Sequence, residues 1–369
     1  MHWGVHVPDT PRIHHVQGRL VRVPMTRPLG TSAAVVMHAF LLLVDLQIDG
    51  GSVGHGYIFC YGEAPGRAAA EWLRRLAPEL QGQSAAPKNL AEWLAPRMRL
   101  VGHRGVASMV TAALDIAAWD AHSHACGVSL AQMLGASPAP IRAYNSNGLG
   151  LVDAKIAAIE AEVLLEGGFG GVKMRLGRPT LEQDLEAVRA VRRILPSQCH
   201  LMADFNQALS PAEASRRCCA LDDEGLAWIE EPVRHDDYAT YALLRTKIRT
   251  PLQIGENFQG PSAMAQALAL RCCDYVMVDV ERIGGVTGWI DAAGLAAAHD
   301  VELSSHLMPE VSAQLLAASP TRHWLEYVDW ATPILKRPLE IRDGYSVPHE
   351  GHGTGVEWNE DAVRAFLVE

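Results

Sequence analysis

The chain has 369 residues, 49% apolar and 20% charged, a globular composition with enough length for a barrel and an attached cap. A formal net charge of −10 without any Lys/Arg-rich run makes nucleic acid a poor partner, because phosphate binding needs a concentrated basic surface. The longest apolar stretches, such as Leu41 to Leu46, fall far short of the ~20 residues that cross a bilayer, so no membrane span is expected.

Met1 to His6 lacks the basic-then-apolar order of a secretory leader. The cysteine count of 7 is odd, and Cys218-Cys219 and Cys272-Cys273 are adjacent pairs. This pattern reads as reduced, mostly buried thiols in a cytoplasmic protein. His2, His6, His14 and His15 match no zinc spacing and read as surface or packing residues.

From Arg12 to about Ile58 the pattern is that of strands. Val16 to Val23 alternates, Val35 to Ile48 is rich in Val, Leu and Phe, Gly50-Gly51 supplies a turn, and Gly54 to Tyr61 follows. Between the strands, residues 24–34 read as a loop of Pro, Gly, Thr and Ser. Helical patterns come next: Pro65 to Ala77, Leu90 to Arg99, and the alanine-rich Val106 to Cys126. Residues 1–135 are therefore expected to form an α+β capping domain.

After Gly135 the rhythm changes to short apolar runs alternating with helices. The runs are Ile141 to Tyr144, Gly171 to Met174, His200 to Ala203, Ala227 to Ile229, Leu252 to Ile254, Tyr275 to Val278, Val301 to Ser304, and His323 to Leu325. Leu181 to Ile194 and Pro261 to Leu270 are helices between them. Residues 136–332 thus read as an α/β unit, a parallel barrel of (β/α)8 or (β/α)7β form, whose chemistry lies at the C-terminal strand ends. The turn-rich tail, 333–369, is expected to fold back on the cap.

The residues closing these runs are polar: Ser146, Lys173 and Arg175, Asp204 and Asn206, Glu230, Glu256, Asp279, His306 and Glu326. One acid after one strand reads as a helix cap. Ionisable groups at nearly every strand end read as a site. Asp204, Glu230 and Glu256 recur about every 26 residues, roughly what a strand, a helix and two short loops consume. Three converging carboxylates need a cation, and hard oxygen ligands suit Mg2+ where zinc would take His or Cys.

Glu231 would point away from Glu230 along a continuing strand and is expected, with Asn257, to back the metal ligands. Lys173 and Arg175, two apart on a strand, face the same way and make one side cationic. Asp279 beside His306 would fix the imidazole tautomer and raise its basicity. Glu326, outside the metal cluster, is expected as a neutral acid donating to a developing oxyanion. Together these groups suit removal of a proton next to a carboxylate.

The strand-end set resembles the enolase superfamily, and within it the mandelate racemase subgroup. The segments that carry the resemblance are Val172-Lys173-Met174-Arg175, Asp204-Phe205-Asn206-Gln207, Trp228-Ile229-Glu230-Glu231-Pro232, Gly255-Glu256-Asn257, Ile283 to Trp289, Ser304-Ser305-His306-Leu307, and His323-Trp324-Leu325-Glu326. The resemblance implies Mg2+ on Asp204, Glu230 and Glu256, and a base dyad of His306 with Asp279. It implies Glu326 and Lys173 on the substrate carboxylate, and a homo-oligomer, dimer to octamer. It also implies lid segments at 24–34 and 54–61, with Tyr57 at an active-site tyrosine position and Arg27 reaching a polar substrate group. Ser146 and Asn206 are expected beside the substrate, and Leu29, Leu307 and Val328 along an apolar wall.

The family's second base is the last residue of Lys-x-Lys, and Arg175 holds that place here. A guanidinium, with a pKa above ~12, resists serving as a base. The expectation is therefore dehydration of an α,β-dihydroxy acid to a 2-keto-3-deoxy acid. Racemisation or epimerisation of an α-hydroxy acid is the alternative, and a catalytically silent sugar-acid-binding protein a third reading.

Overall fold

The computed structural model describes residues 10–32 and 34–369, so His2 and His6 lie outside the described residues. β1 (Ile13–Gly30), β2 (Val35–Ile48) and β3 (Val53–Phe59) form an antiparallel sheet in that order. Gly50 and Gly51, both at φ 85°, turn β2 into β3. His14 and His15 are exposed on β1. α1 (Glu63–Leu80) and α3 (Val106–Cys126) pack on the sheet, and α2 (Pro87–Met98) packs on α3. A Cβ on Gly54 would lie 2.0 Å from the carbonyl oxygen of Ala117, and one on Gly56 2.5 Å from that of Ala113. The alanine-rich α3 and the glycines of β3 are thus two halves of one close backbone approach.

The segment 24–34, expected as a loop, is largely strand, whereas the strand expected from Gly54 is present. β1 continues to Gly30: Pro24 pairs with His38 and Leu29 with Val36, with a register break between. Pro24, which has no N–H to donate, borders that irregularity, and Pro28 lies within it, outside the ladder. Residues 54–59 belong to β3, and beyond it Tyr61 takes φ 58°.

α4 (Leu130–Met133) leads into the barrel. Its strands are β4 (Ala143–Asn145), β5 (Gly171–Arg175), β6 (His200–Asp204), β7 (Ile229–Glu230), β8 (Leu252–Ile254), β9 (Tyr275–Asp279), β10 (Glu302–His306) and β11 (Leu325–Tyr327). They form one parallel 8-stranded sheet in the order β10-β9-β8-β7-β6-β5-β4-β11. The edges close on each other: His323 N donates to Leu303 O at 2.8 Å and Ser305 N to Trp324 O at 3.0 Å. The connections hold α5 (Ala154–Leu164), α6 (Leu181–Ile194), α7 (Pro211–Leu221), α8 (Tyr238–Arg245), α9 (Pro261–Ala269), α10 (Val280–Ile283) with α11 (Gly285–Ala298), and α12 (Pro309–Ala317). A 3-10 turn, Thr332–Ile334, stands where an eighth helix would, so the barrel is (β/α)7β.

Tyr144, Met202, Trp228, Met277 and Trp324 fill the barrel interior, with the rings of Tyr144 and Trp228 edge-on at 5.5 Å. They make a dry floor beneath the C-terminal strand ends. The tail first meets the barrel, where Ala143 N donates to Gly344 O at 2.8 Å, through β12 (Ile341–Arg342) and β13 (Tyr345–Ser346). After α13 (Glu360–Ala365) it reaches β1, with Val368 N donating to Leu20 O at 2.9 Å. Among the described residues no helix is long and apolar enough to cross a membrane, and all 7 cysteines are free thiols.

Candidate active site

Parallel register delivers the strand-end residues side by side. Arg175 pairs with Asp204, Asp204 with Glu230, and His306 with Asp279. Glu256 lies just past β8, swung inward by Gly255 at φ 129°, where a Cβ would sit 2.6 Å from Met277 O. Asp204, Glu230 and Glu256 each offer an oxygen, and these oxygens lie within 4.8 Å of one another.

Lys173 Nζ stands among three acids, 2.7 Å from Glu326 Oε1, 3.0 Å from Glu230 Oε1 and 3.6 Å from Asp204 Oδ2. Burial opposes its charge, but Glu230 and Glu326 outweigh burial and hold it protonated. One lysine is not enough for the acids. Burial, together with Asp204 and Glu256, pushes the Glu230 carboxyl up to about 8 despite Lys173. Asn206 donates Nδ2–H to Asp204 Oδ2 at 2.9 Å, while its own Oδ1 is buried without a partner. A cluster of oxygen donors short of positive charge, beside an unspent amide oxygen, fits a hard divalent cation.

His306 Nδ1 lies 2.6 Å from Asp279 Oδ2, and its Nε2 3.3 Å from Glu256 Oε2. Burial lowers the imidazole pKa, but Glu256, Glu326 and Asp279 raise it to about 10. A cation on Glu256 would spend the first of those contributions.

Arg175 points Nη1 at Ser146 O (2.8 Å) and Gly148 O (3.2 Å) and Nη2 at Ser146 Oγ (3.0 Å). Ser146 is thereby committed to seating the guanidinium. Glu231 leaves the strand at φ 37° and accepts both its bonds from Asn257 Nδ2, which also reaches Glu256 at 3.1 Å. Leu307 N donates to Glu326 Oε2 at 2.9 Å.

Two expectations are revised, those for Glu326 and Tyr57. Glu326 is not a neutral donor: burial would raise its pKa, but Lys173, His306 and the Leu307 N–H hold it at about 2. The Tyr57 hydroxyl does not open on the mouth; it donates to Glu310 Oε2 at 2.7 Å, bolting cap to α12. Arg27 sits 3.9 Å from Glu160 Oε1, on the rim beside Gly148. Tyr61 and Arg282 were not foreseen. The Tyr61 ring lies 4.9 Å from the Arg282 guanidinium, which donates to Asn257 Oδ1 behind Glu256. Tyr61 lies beyond the end of β3 at φ 58°, off the strand's alternating face, so strand periodicity carried no signal for it.

Residues 15–135 match the mandelate racemase / muconate lactonizing enzyme N-terminal domain, and residues 156–362 match the enolase C-terminal domain-like family. The chain belongs to the mandelate racemase/muconate lactonizing enzyme group of the enolase superfamily. It is 28% identical over 364 residues to L-talarate/galactarate dehydratase of Salmonella typhimurium, covering 96% of this chain and 90% of that protein. A magnesium-bound enolase from an alpha proteobacterium superposes with TM-score 0.95 at 39% identity, covering 97% of this chain and all of that one (100%). A Bradyrhizobium enolase with magnesium and mandelic acid gives TM-score 0.93 at 37% identity, covering 98% of this chain and 100% of that one. Members of this superfamily are lyases and isomerases, and this protein is an enzyme of that kind, with Mg2+ as its cofactor.

Proposed function

We propose that the enzyme removes the α-proton of a small hydroxy-carboxylate and expels a β-hydroxyl, converting an α,β-dihydroxy acid to a 2-keto-3-deoxy acid. The observation that carries this reading is the single base. His306 is oriented by Asp279 at 2.6 Å, while the strand across the mouth presents Arg175, with Nη1 and Nη2 already spent on Ser146 and Gly148. Asp204, Glu230 and Glu256 would hold Mg2+, which would supply positive charge against the substrate carboxylate. Lys173 adds a fixed ammonium beside Glu326.

His306 Nε2 takes the α-proton. The bond from C3 to its hydroxyl oxygen then breaks, and the same imidazolium returns the proton to the departing oxygen, releasing water. The enol left behind ketonises. The Salmonella dehydratase likeness supports this reading. The mandelic-acid complex favours a second one, racemisation or epimerisation, which needs a second base at position 175. The substrate is a small carboxylate, the assembly a homo-oligomer and the compartment cytoplasmic in this reading; light scattering tests the assembly.

A panel of acid sugars and α-hydroxy acids, incubated with enzyme and Mg2+, should yield a 2-keto acid from at least one sugar acid. Solvent deuterium at C2 of recovered substrate without keto acid would overturn dehydration in favour of racemisation. Binding with neither outcome would indicate a silent sugar-acid-binding protein.

A further inference from the structure

We propose that the cavity between α12 and the tail is a binding site for a neutral polyol of monosaccharide size, held by Gln314 and Ser346. The cavity has a volume of about 300 Å³, at the lower end for small-molecule sites, and opens to solvent. Glu310, Ala313, Gln314 and Ala317, one face of α12, form one wall, and the tail on either side of β12 and β13 forms the other. No lining residue belongs to the strand-end site. Gln314 is 4% exposed, and its Oε1 accepts the Ala131 N–H of α4 at 3.2 Å. That bond fixes which way the amide is turned, and leaves Nε2 without a partner among the described residues. Ser346, 1% exposed, accepts the Ile141 N–H at 3.1 Å, and its own O–H is unspent. Buried donors are rarely left so, and two on the walls of one open cavity make a place for ligand acceptors.

The charges around the cavity decide the ligand class. Donors need acceptors, and an ammonium or guanidinium has none. A carboxylate or phosphate has them, but Glu310, Glu340 and Glu350 line the cavity and oppose an anion, while Arg337 is already paired with Glu357. A hydroxyl meets both conditions, since its oxygen accepts from Gln314 and Ser346 and its proton can go to a carboxylate. Pro138, Pro338 and Leu339 add apolar wall for the C–H face of a sugar ring. The Glu310 on this wall also holds the Tyr57 hydroxyl of the cap at 2.7 Å. A ligand here would therefore bridge the tail to the helix that bolts cap to barrel, and would stabilise the folded chain.

Calorimetry on the Mg2+-loaded enzyme tests it with D-glucose and sorbitol beside two charged counterparts, glucose-6-phosphate and N-methylglucamine. At least one neutral probe should bind with a Kd of about 10 mM or tighter, and about 10-fold or more tightly than its charged counterpart. Chelating the Mg2+ should leave that binding unchanged, because the cavity shares no residue with the metal acids. Gln314→Glu keeps an oxygen for the Ala131 N–H but puts an acceptor where the donor stood, and should weaken the neutral probe about 10-fold or more. If that variant shows no cooperative melt, Ser346→Ala is read by the same criterion, and if neither folds, the wild-type comparisons decide. Absence of neutral-probe binding would mean that the cavity holds water only. That result, equal binding of a charged counterpart, binding lost with the Mg2+, or binding undiminished in the folded variant each overturns the proposal.

Discussion

Asp279 serves His306 and its own helix at once: Oδ2 lies 2.6 Å from the imidazole Nδ1, while Oδ1 accepts the N–H groups of Glu281 and Arg282 that open α10. The cap fixes the carboxylate, and the carboxylate fixes the ring with Nε2 turned to the metal acids. Asp279→Asn keeps an oxygen for the helix but cannot hold the imidazole in one tautomer. Turnover should fall by about 10²- to 10⁴-fold, with the Mg2+-dependent gain in Tm unchanged. Steady-state rates beside thermal melts check this, and an unchanged rate would remove Asp279 from the base dyad.

Metal dependence follows from the crowding at Glu230, whose carboxyl is raised to about 8 by burial and by its acidic neighbours. Mg2+ relieves that crowding only in the folded chain, so it should stabilise by about 2.7 kcal/mol at a hundredfold excess over Kd. Glu230→Gln should lose most of that gain, and chelation should abolish activity. Melting curves with and without Mg2+ report it; a full gain in Glu230→Gln would show that the cation sits elsewhere.

Cap and barrel are joined through the 2.7 Å bond from the Tyr57 hydroxyl to Glu310, both buried. Tyr57→Phe leaves the Glu310 carboxyl without that donor and should cost about 1–3 kcal/mol of stability. Urea unfolding measures the loss. A change under about 0.3 kcal/mol would mean that water replaces the hydroxyl without penalty.

His323 predicts an acid limit. Its ring packs 4.6 Å from Tyr275 and 5.8 Å from Trp228, and burial, then Arg142 and His200, lowers its pKa from 6.5 to about 4. The folded state therefore holds the ring neutral where the unfolded chain protonates it. Stability from this source is complete above pH 6.5 and is lost as pH falls toward 4, by roughly 3 kcal/mol at most. His323→Phe should flatten the profile in that window. Denaturant midpoints between pH 7 and 4 test it, and parallel profiles for both proteins would contradict it.

Spacing along the chain was enough for the barrel and for bringing Asp204, Glu230 and Glu256, and His306 with Asp279, together at one end of it. One strand, helix and loop pair consumes a nearly constant length, so side chains at each strand's C-terminal end must converge however the loops are built. Arg175 also stood out by its chemical type alone. What each group does after converging was decided by tertiary contacts. Glu326 became an anion because Lys173 arrives from another strand at 2.7 Å. Tyr57 was drawn out of the mouth because Glu310 opens a helix more than 250 residues away. The unpartnered Nε of Arg175 exists because the loop after β4 offers acceptors to Nη1 and Nη2 only. Periodicity is a property of the chain and is legible in one dimension; charge state and donor pairing depend on distances of a few ångströms between distant residues, and those only the fold sets.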